Sequence, residues 1–132
     1  MIFNEKNEIL MVERNKKPYK KYWGMPGGFV NYAEDPIKAL GRELKEELGV
    51  KFNIGKIVGT YNEIYLNNGD KNERYSTIVI VYEIKFKEKD KKNVLFSNEV
   101  SKFDFFSKDN LPKKIAFKNQ RFFLFENIAK NK

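Results

Sequence analysis

Three glutamates raise the first chemical question. In RELKEELG, residues 42–49, Glu43, Glu46 and Glu47 fall at i, i+3 and i+4. At about 100° of helix per residue, this spacing crowds all three carboxylates onto one side of a helix. Like charges so placed weaken a helix by roughly 0.2–0.5 kcal/mol per pair. Two readings compete. Arg42 and Lys45 offset part of the repulsion, as on a solvated, salt-bridged helix face. Alternatively, the acids hold a divalent cation. Mg²⁺ takes oxygen ligands and is held by one or two carboxylates together with substrate phosphates.

Composition narrows the chemistry. The chain has no cysteine and no histidine, so thiolate and imidazole catalysis and disulfides are excluded. Any catalyst must use carboxylates, Lys, Arg, hydroxyls or a bound cation. No apolar run is long enough to span a membrane, and Met1 to Leu10 carry no signal-peptide pattern, so a cytoplasmic protein is expected. The net charge of +8 is compatible with a polyanionic partner, but the lysines are scattered. Only RNKKPYKK, Arg14 to Lys21, is a dense basic cluster, in a stretch that reads as loop. No nucleic-acid recognition motif accompanies it, so nucleic acid is not the expected partner.

The elements that must position the acids can be read around them. Asp35 and Pro36 start a helix, one as N-cap and the other in the first turn, where its missing N–H costs nothing. Ile37, Leu40, Leu44 and Leu48 form one apolar stripe, and Gly49 ends the helix. The acids lie about 110° around from that stripe, at the edge of whatever the helix packs on. MIFNEKNEILMVER reads as strand, polar turn and strand, and KKPYKKYWGMPGG as loop. Phe29 and Val30 are short and β-like. Lys56 to Ile64, Ser76 to Phe86 and KFDFF (102–106) are strand candidates, with NNGDKNE as the turn between the first two. Lys118 to Lys130 reads as an amphipathic helix carrying Phe122, Phe125 and Ile128. At 132 residues this is one α/β domain, residues 1–132.

The stretch upstream decides between the two readings of the acids. GFVNYAEDPIKALGRELKEELGV, residues 28–50, matches G-x5-E-x7-R-E-U-x-E-E-x-G-U (U, a bulky aliphatic) at every fixed position: Gly28, Glu34, Arg42, Glu43, Leu44, Glu46, Glu47, Gly49 and Val50. By average amino-acid frequencies such a match arises by chance about once in ten million chains of this length. The segment resembles the Nudix box, and the chain resembles a MutT-like Nudix hydrolase. FNEKNEILMVER is similar to the family's first hairpin, WGMPGG to its approach to the box, and NEVSKFDFFSKDNLP to its downstream segment, where Glu99 precedes the aromatic strand at Phe105. One departure is that only Met1 to Phe3 stand before the first turn, shorter than is usual, which implies a truncated chain or a short sheet edge.

The resemblance implies an α/β/α sandwich with a mixed sheet, and hydrolysis of a nucleoside diphosphate linked to a group X. The products would be a nucleoside monophosphate and phosphorylated X. Mg²⁺ or Mn²⁺ would be held by Glu43, Glu46 and Glu47, the backbone carbonyl of Gly27 and, in some members, Glu99. Glu43, Glu46 and Glu99 are the candidate catalytic acids. Arg42 would orient them, and Glu34, Gly28 and Gly49 would be structural. Arg14, Tyr22, Trp23 and Tyr65 are candidate substrate contacts, with Tyr19, Tyr61, Arg74 and Arg121 on the same footing. The proline some fifteen residues past the box that is associated with ADP-ribose hydrolases is absent, since Tyr65 and Leu66 stand there. The NADH-cleaving signature is absent too. A nucleoside triphosphate or small nucleoside diphosphate derivative is therefore the expected substrate, with ADP-ribose or a nucleotide sugar as the alternative. A non-catalytic nucleotide-binding Nudix module is the rival of another class, but such modules tend to lose box acids, and all are present here. Oligomeric state stays open, a homodimer included.

Overall fold

The computed structural model describes the backbone of residues 1–67 and 70–128, and side chains within those spans other than at positions 66–73. Six strands form one mixed sheet: β1 (Ile2–Phe3), β2 (Ile9–Arg14), β3 (Trp23–Gly24), β4 (Ile54–Asn67), β5 (Asp70–Lys85) and β6 (Val100–Phe106). The order is β3-β2-β1-β5-β4, with β6 antiparallel to β2 from Ile9↔Phe106 to Arg14↔Val100. β1 runs parallel to β5, with Ile2 opposite Ile84, and every other pairing is antiparallel.

Helices cover both faces, and β2 shows why. Its residues alternate between two cores, as a strand buried on both sides must. Leu10 and Val12 join Leu44 and Leu48 of helix α1 (Pro36–Leu48), while Ile9 and Met11 join Phe123 and Leu124 of helix α2 (Lys118–Asn127). This is the expected α/β/α sandwich. Among the described residues no helix is long and apolar enough to cross a membrane.

The helix carrying the acids forms as its local code dictates. The Asp35 carboxylate accepts the N–H of Ile37 at 2.8 Å and of Lys38 at 3.4 Å, and Pro36 occupies the first turn. Gly49 closes the helix at φ 70°, its N–H donating to the Lys45 carbonyl. Full burial of Leu44 and Leu48 contributes about 1.5–3 kcal/mol each, against roughly 0.2–0.5 kcal/mol lost per pair of like charges. The helix can therefore carry the acids.

Several expectations need correction. Ile37 is exposed, and Ala39 is buried in its place. Phe29 and Val30 lie in exposed loop rather than strand, because the segment is held by side chains of α1 instead of a ladder partner. Trp23 and Gly24, read as loop, pair with β2. Strands β4 and β5 run further than expected, so most of NNGDKNE is strand, and Asn68 and Gly69 lie outside the described residues. In α2 only Ile128 of the expected Phe122, Phe125 and Ile128 stripe faces the core. Phe122 and Phe125 are each 57% exposed, whereas Gln120, Phe123, Leu124 and Ile128 are buried. The expected end of that helix, Ala129 and Lys130, lies outside the described residues.

Candidate metal and phosphate site

One guanidinium organises the acidic face. Arg42 grips Glu34 with two parallel bonds, Nε to Oε2 at 2.9 Å and Nη2 to Oε1 at 3.0 Å. Nη2 also donates to the Phe29 carbonyl at 3.0 Å, and Nη1 to Glu43 Oε1 at 2.9 Å, with Glu46 at 3.4 Å. Such bidentate, charge-assisted bonds are geometrically specific. They tie the loop over 28–34 to the helix that follows it. The Arg42 fork, helped by the Asn31 N–H, holds the Glu34 carboxyl down at about 2, and Glu34 and Glu43 drive Arg42 still further into its charged form.

The glycines and the last box acid complete the loop–helix contact. A Cβ on Gly28 would overlap the Glu43 carboxyl, so that carboxyl packs directly on the loop backbone. Glu47 is 9% exposed, and its Oε1 accepts the Gly27 N–H at 2.9 Å. Burial pushes the Glu47 carboxyl up to about 7. The Gly27 N–H opposes this, while the Glu43 charge adds to it; more weakly, Lys16 lowers it and Glu99 raises it.

Glu99 arrives from a distant part of the chain. The loop before β6 is laced to the end of α1 by Leu95 N–H to Leu48 O at 2.8 Å and Ser97 N–H to Glu47 O at 3.3 Å. At its far end Asn15 N–H donates to Glu99 O at 2.9 Å, and Lys16 Nζ pairs with Glu99 Oε2 at 2.9 Å. Glu99 thus stands close enough to Glu47 for their charges to interact.

The carboxylates share a neighbourhood without converging. Among the described residues no three of them stand together as a ready ligand cluster. Arg42 draws Glu43 and Glu46 to one side, Lys16 draws Glu99 to another, and Glu47 stays with Gly27. The expected contribution of Gly27 was its carbonyl, but the contact formed here is through its N–H. The donor set still suits a hard cation. Among the described residues the Glu47 carboxylate receives a single hydrogen bond, so it keeps lone pairs that hydrogen bonding does not satisfy.

Beside the acids stands an aromatic wall. Tyr65 packs against Phe29 (ring centroids 5.6 Å), Tyr75 (5.8 Å) and Phe117 (4.9 Å). Phe117 in turn meets Tyr19 at 5.0 Å, and Tyr19 meets Tyr22 at 5.2 Å. The half-buried Arg14 guanidinium lies 5.2 Å over the Phe117 ring, with Nε donating to the Pro18 carbonyl at 2.9 Å. Burial lowers its pKa, and the charges of Glu47 and Glu99 oppose that shift. Tyr19 and Phe117 hold positive φ angles of 60° and 65°, a costly backbone for non-glycine residues.

The other candidate contacts fall elsewhere. Trp23 is partly buried against the core, its ring 5.0 Å from Phe106, and Tyr61 packs on Phe123 at 4.9 Å. Arg74 and Arg121 are exposed and, among the described residues, pair with none of the acids. Phe117 is not among the residues the sequence points to. A lone aromatic ahead of a helix carries no local signal, and it joins the wall only through the fold.

The NUDIX domain model matches residues 1–124. The chain belongs to this family. Relatives of the NUDIX chain include the ADP-ribose pyrophosphatase of Methanocaldococcus jannaschii, 30% identical over 91% of this chain and 66% of the relative. Another is diphosphoinositol polyphosphate phosphohydrolase 2 of Rattus norvegicus, 35% identical over 61% of this chain and 41% of the relative. The NUDIX chain thus spans just under two thirds of the first relative's length and about two fifths of the second's. Among solved structures it superposes on the MutT NUDIX hydrolase of Burkholderia pseudomallei with TM-score 0.72, at 20% identity, covering 96% of this chain and 94% of that one. The NUDIX domain of Shewanella oneidensis NrtR, complexed with ADP ribose, gives TM-score 0.70 at 20% identity over 98% and 82%. At that identity the two structures speak for the fold.

Proposed function

We propose that this domain is a pyrophosphohydrolase that cleaves a nucleoside diphosphate joined to a small group X, using Mg²⁺ or Mn²⁺ held by Glu43, Glu46 and Glu47 with Glu99. The observation that carries this reading is the intact box on α1, with a buried, sparsely hydrogen-bonded Glu47 clasped by the Gly27 loop. When bound, the cation supplies charge neutralisation of the pyrophosphate and acidification of attacking water. The chain's own residues do the remaining work. Arg42 fixes the loop and the Glu43 carboxyl. The Tyr65–Phe117–Tyr19 wall offers π faces to a base, and Arg14 a guanidinium to a phosphate. The proton of the attacking water needs a carboxylate within reach of substrate. Glu46 and Glu99, with side chains 57% and 54% exposed, are the accessible ones.

For X, the relative named ADP-ribose pyrophosphatase and the neighbour complexed with ADP ribose favour including ADP-ribose beside nucleoside triphosphates and nucleotide sugars. The test is release of nucleoside monophosphate from such a panel with Mg²⁺. Cleavage of one member with a Glu47→Gln blank supports the reading. No cleavage of any member, with Mn²⁺ also tried, overturns it in favour of a binding module.

A further inference from the structure

A chain of buried polar contacts reaches the Gly27 loop from the opposite side of the sheet. Gln120, in the first turn of α2, is 6% exposed. Its Oε1 accepts the Met25 N–H at 2.7 Å, and its Nε2 donates to the Ala116 carbonyl at 2.7 Å. The Gln120 backbone is itself held, because Glu63 on β4, 4% exposed, accepts the N–H of Gln120 at 3.0 Å and of Asn119 at 3.4 Å. Phe117, at the N-cap position of α2, makes no side-chain cap, so Glu63 supplies one from another strand. Alongside, Trp23 N–H donates to Lys114 O at 2.8 Å and Ala116 N–H to Trp23 O at 2.8 Å. Two residues beyond Met25, the Gly27 N–H meets Glu47.

We propose that Gln120 is a positioning residue for the metal site: with Glu63 anchoring α2, its carboxamide fixes the 25–27 backbone so that Gly27 stays on Glu47. The physical case is the cost of the alternatives. Buried polar groups left unpaired are expensive, so Met25 N–H, Gln120 and Glu63 fix one another in a single arrangement. The loop between Gly24 and Gly28 has no ladder to hold it beyond Gly24. Gly24 is closely packed as well, since a Cβ there would stand 3.2 Å from the Gln120 amide nitrogen.

The test compares wild type with Gln120→Met, which keeps length and removes both polar atoms, and with Gln120→Glu, which keeps an oxygen opposite Met25. In the metal-free protein, amide exchange by NMR should show protection lost at Met25 and also at Gly27 in Gln120→Met, with α1 amides unchanged. Mn²⁺ affinity, read by the free-ion EPR signal, should fall about 10–100-fold, as for other residues that orient ligands. In turnover, kcat should drop more than KM rises. Gln120→Glu should restore protection at Met25 and Gly27 at low pH, where the protonated carboxyl can both accept from Met25 and donate to the Ala116 carbonyl. Exposure at Met25 alone, with Gly27 protection and Mn²⁺ affinity at wild-type values, overturns the proposal. If Gln120→Met does not fold, Gly24→Ala, which presses on the same carboxamide, should give the same changes in smaller degree, and no change at Gly27 again overturns it. The Mn²⁺ and turnover arms rest on the proposed metal site and hydrolase reading, whereas the exchange arm stands without either.

Discussion

Gly27 and Glu47, twenty residues apart, are joined by one hydrogen bond of 2.9 Å from the glycine N–H to the buried carboxylate. This contact closes the box into a unit, with the loop clasping the helix at its most buried acid. Burial, which this bond only partly offsets, makes the Glu47 charge costly to sustain.

That strain should be visible in stability. The folded-state pKa of Glu47 lies near 7, above its ordinary 4.5, chiefly through burial. A raised carboxyl favours the fold fully below about pH 4.5 and loses that contribution as pH rises through 7. In chelator, therefore, wild type should lose stability between pH 5 and 8 relative to Glu47→Gln, by on the order of 2–3 kcal/mol. At pH 8 the variant should match or exceed wild type. Melting curves of both proteins in EDTA check this. A wild-type-minus-variant difference that does not change with pH would mean that Glu47 is stably paired, and the site assignment would fail.

Turnover should require a divalent cation. Excess EDTA is expected to abolish nucleoside monophosphate release, and added Mg²⁺ or Mn²⁺ to restore it. Full activity in chelator would remove the basis of the mechanism.

Glu99 is an accessible acid outside the box that the fold brings near Glu47. If it accepts the water proton, Glu99→Gln should lower kcat by about 10²–10⁴-fold with little change in KM, the usual range for a general base. Steady-state kinetics at saturating Mg²⁺ separate the two candidates. A Glu99→Gln variant with wild-type kcat assigns the base to Glu46, whose own Gln variant should then show the loss.

Two box glycines should fail in different ways. Gly28→Ala places a methyl against the movable end of Glu43. Activity should fall at least tenfold, while stability changes by about 0.5–1.5 kcal/mol, the cost of a displaced rotamer. Gly49→Ala meets φ 70° and the Leu95 backbone at 3.2–3.3 Å. It should cost about 1–2 kcal/mol for the left-handed backbone alone, with kcat of the folded fraction nearly unchanged. Denaturant melts and kinetics on both variants decide it, and equal behaviour would contradict the separation of roles.

The acidic helix is encoded locally. Its start at Asp35–Pro36, its end at Gly49, the Leu40–Leu44–Leu48 stripe and the spacing of Glu43, Glu46 and Glu47 are local features. Capping and the 3.6-residue period need nothing beyond near neighbours. The alternation of β2 between two cores was equally local once both faces were covered. The second helix was not so readable. Phe122, Phe123, Leu124 and Phe125 are apolar at four successive positions, so more than one stripe fits them. The choice was made at a distance, where Glu63 caps the helix and the segment around Ala116 pairs with Trp23, turning Phe123 and Leu124 inward. The same holds for the rest of the site. Glu99 reaches the acids through Asn15 and Lys16, Phe117 reaches Arg14 and Tyr65, and Gln120 reaches Met25, all between segments about fifty to a hundred residues apart in sequence. No period or cap in one segment encodes such meetings. Only the register of a sheet and the docking of helices on its two faces bring those groups within hydrogen-bonding distance.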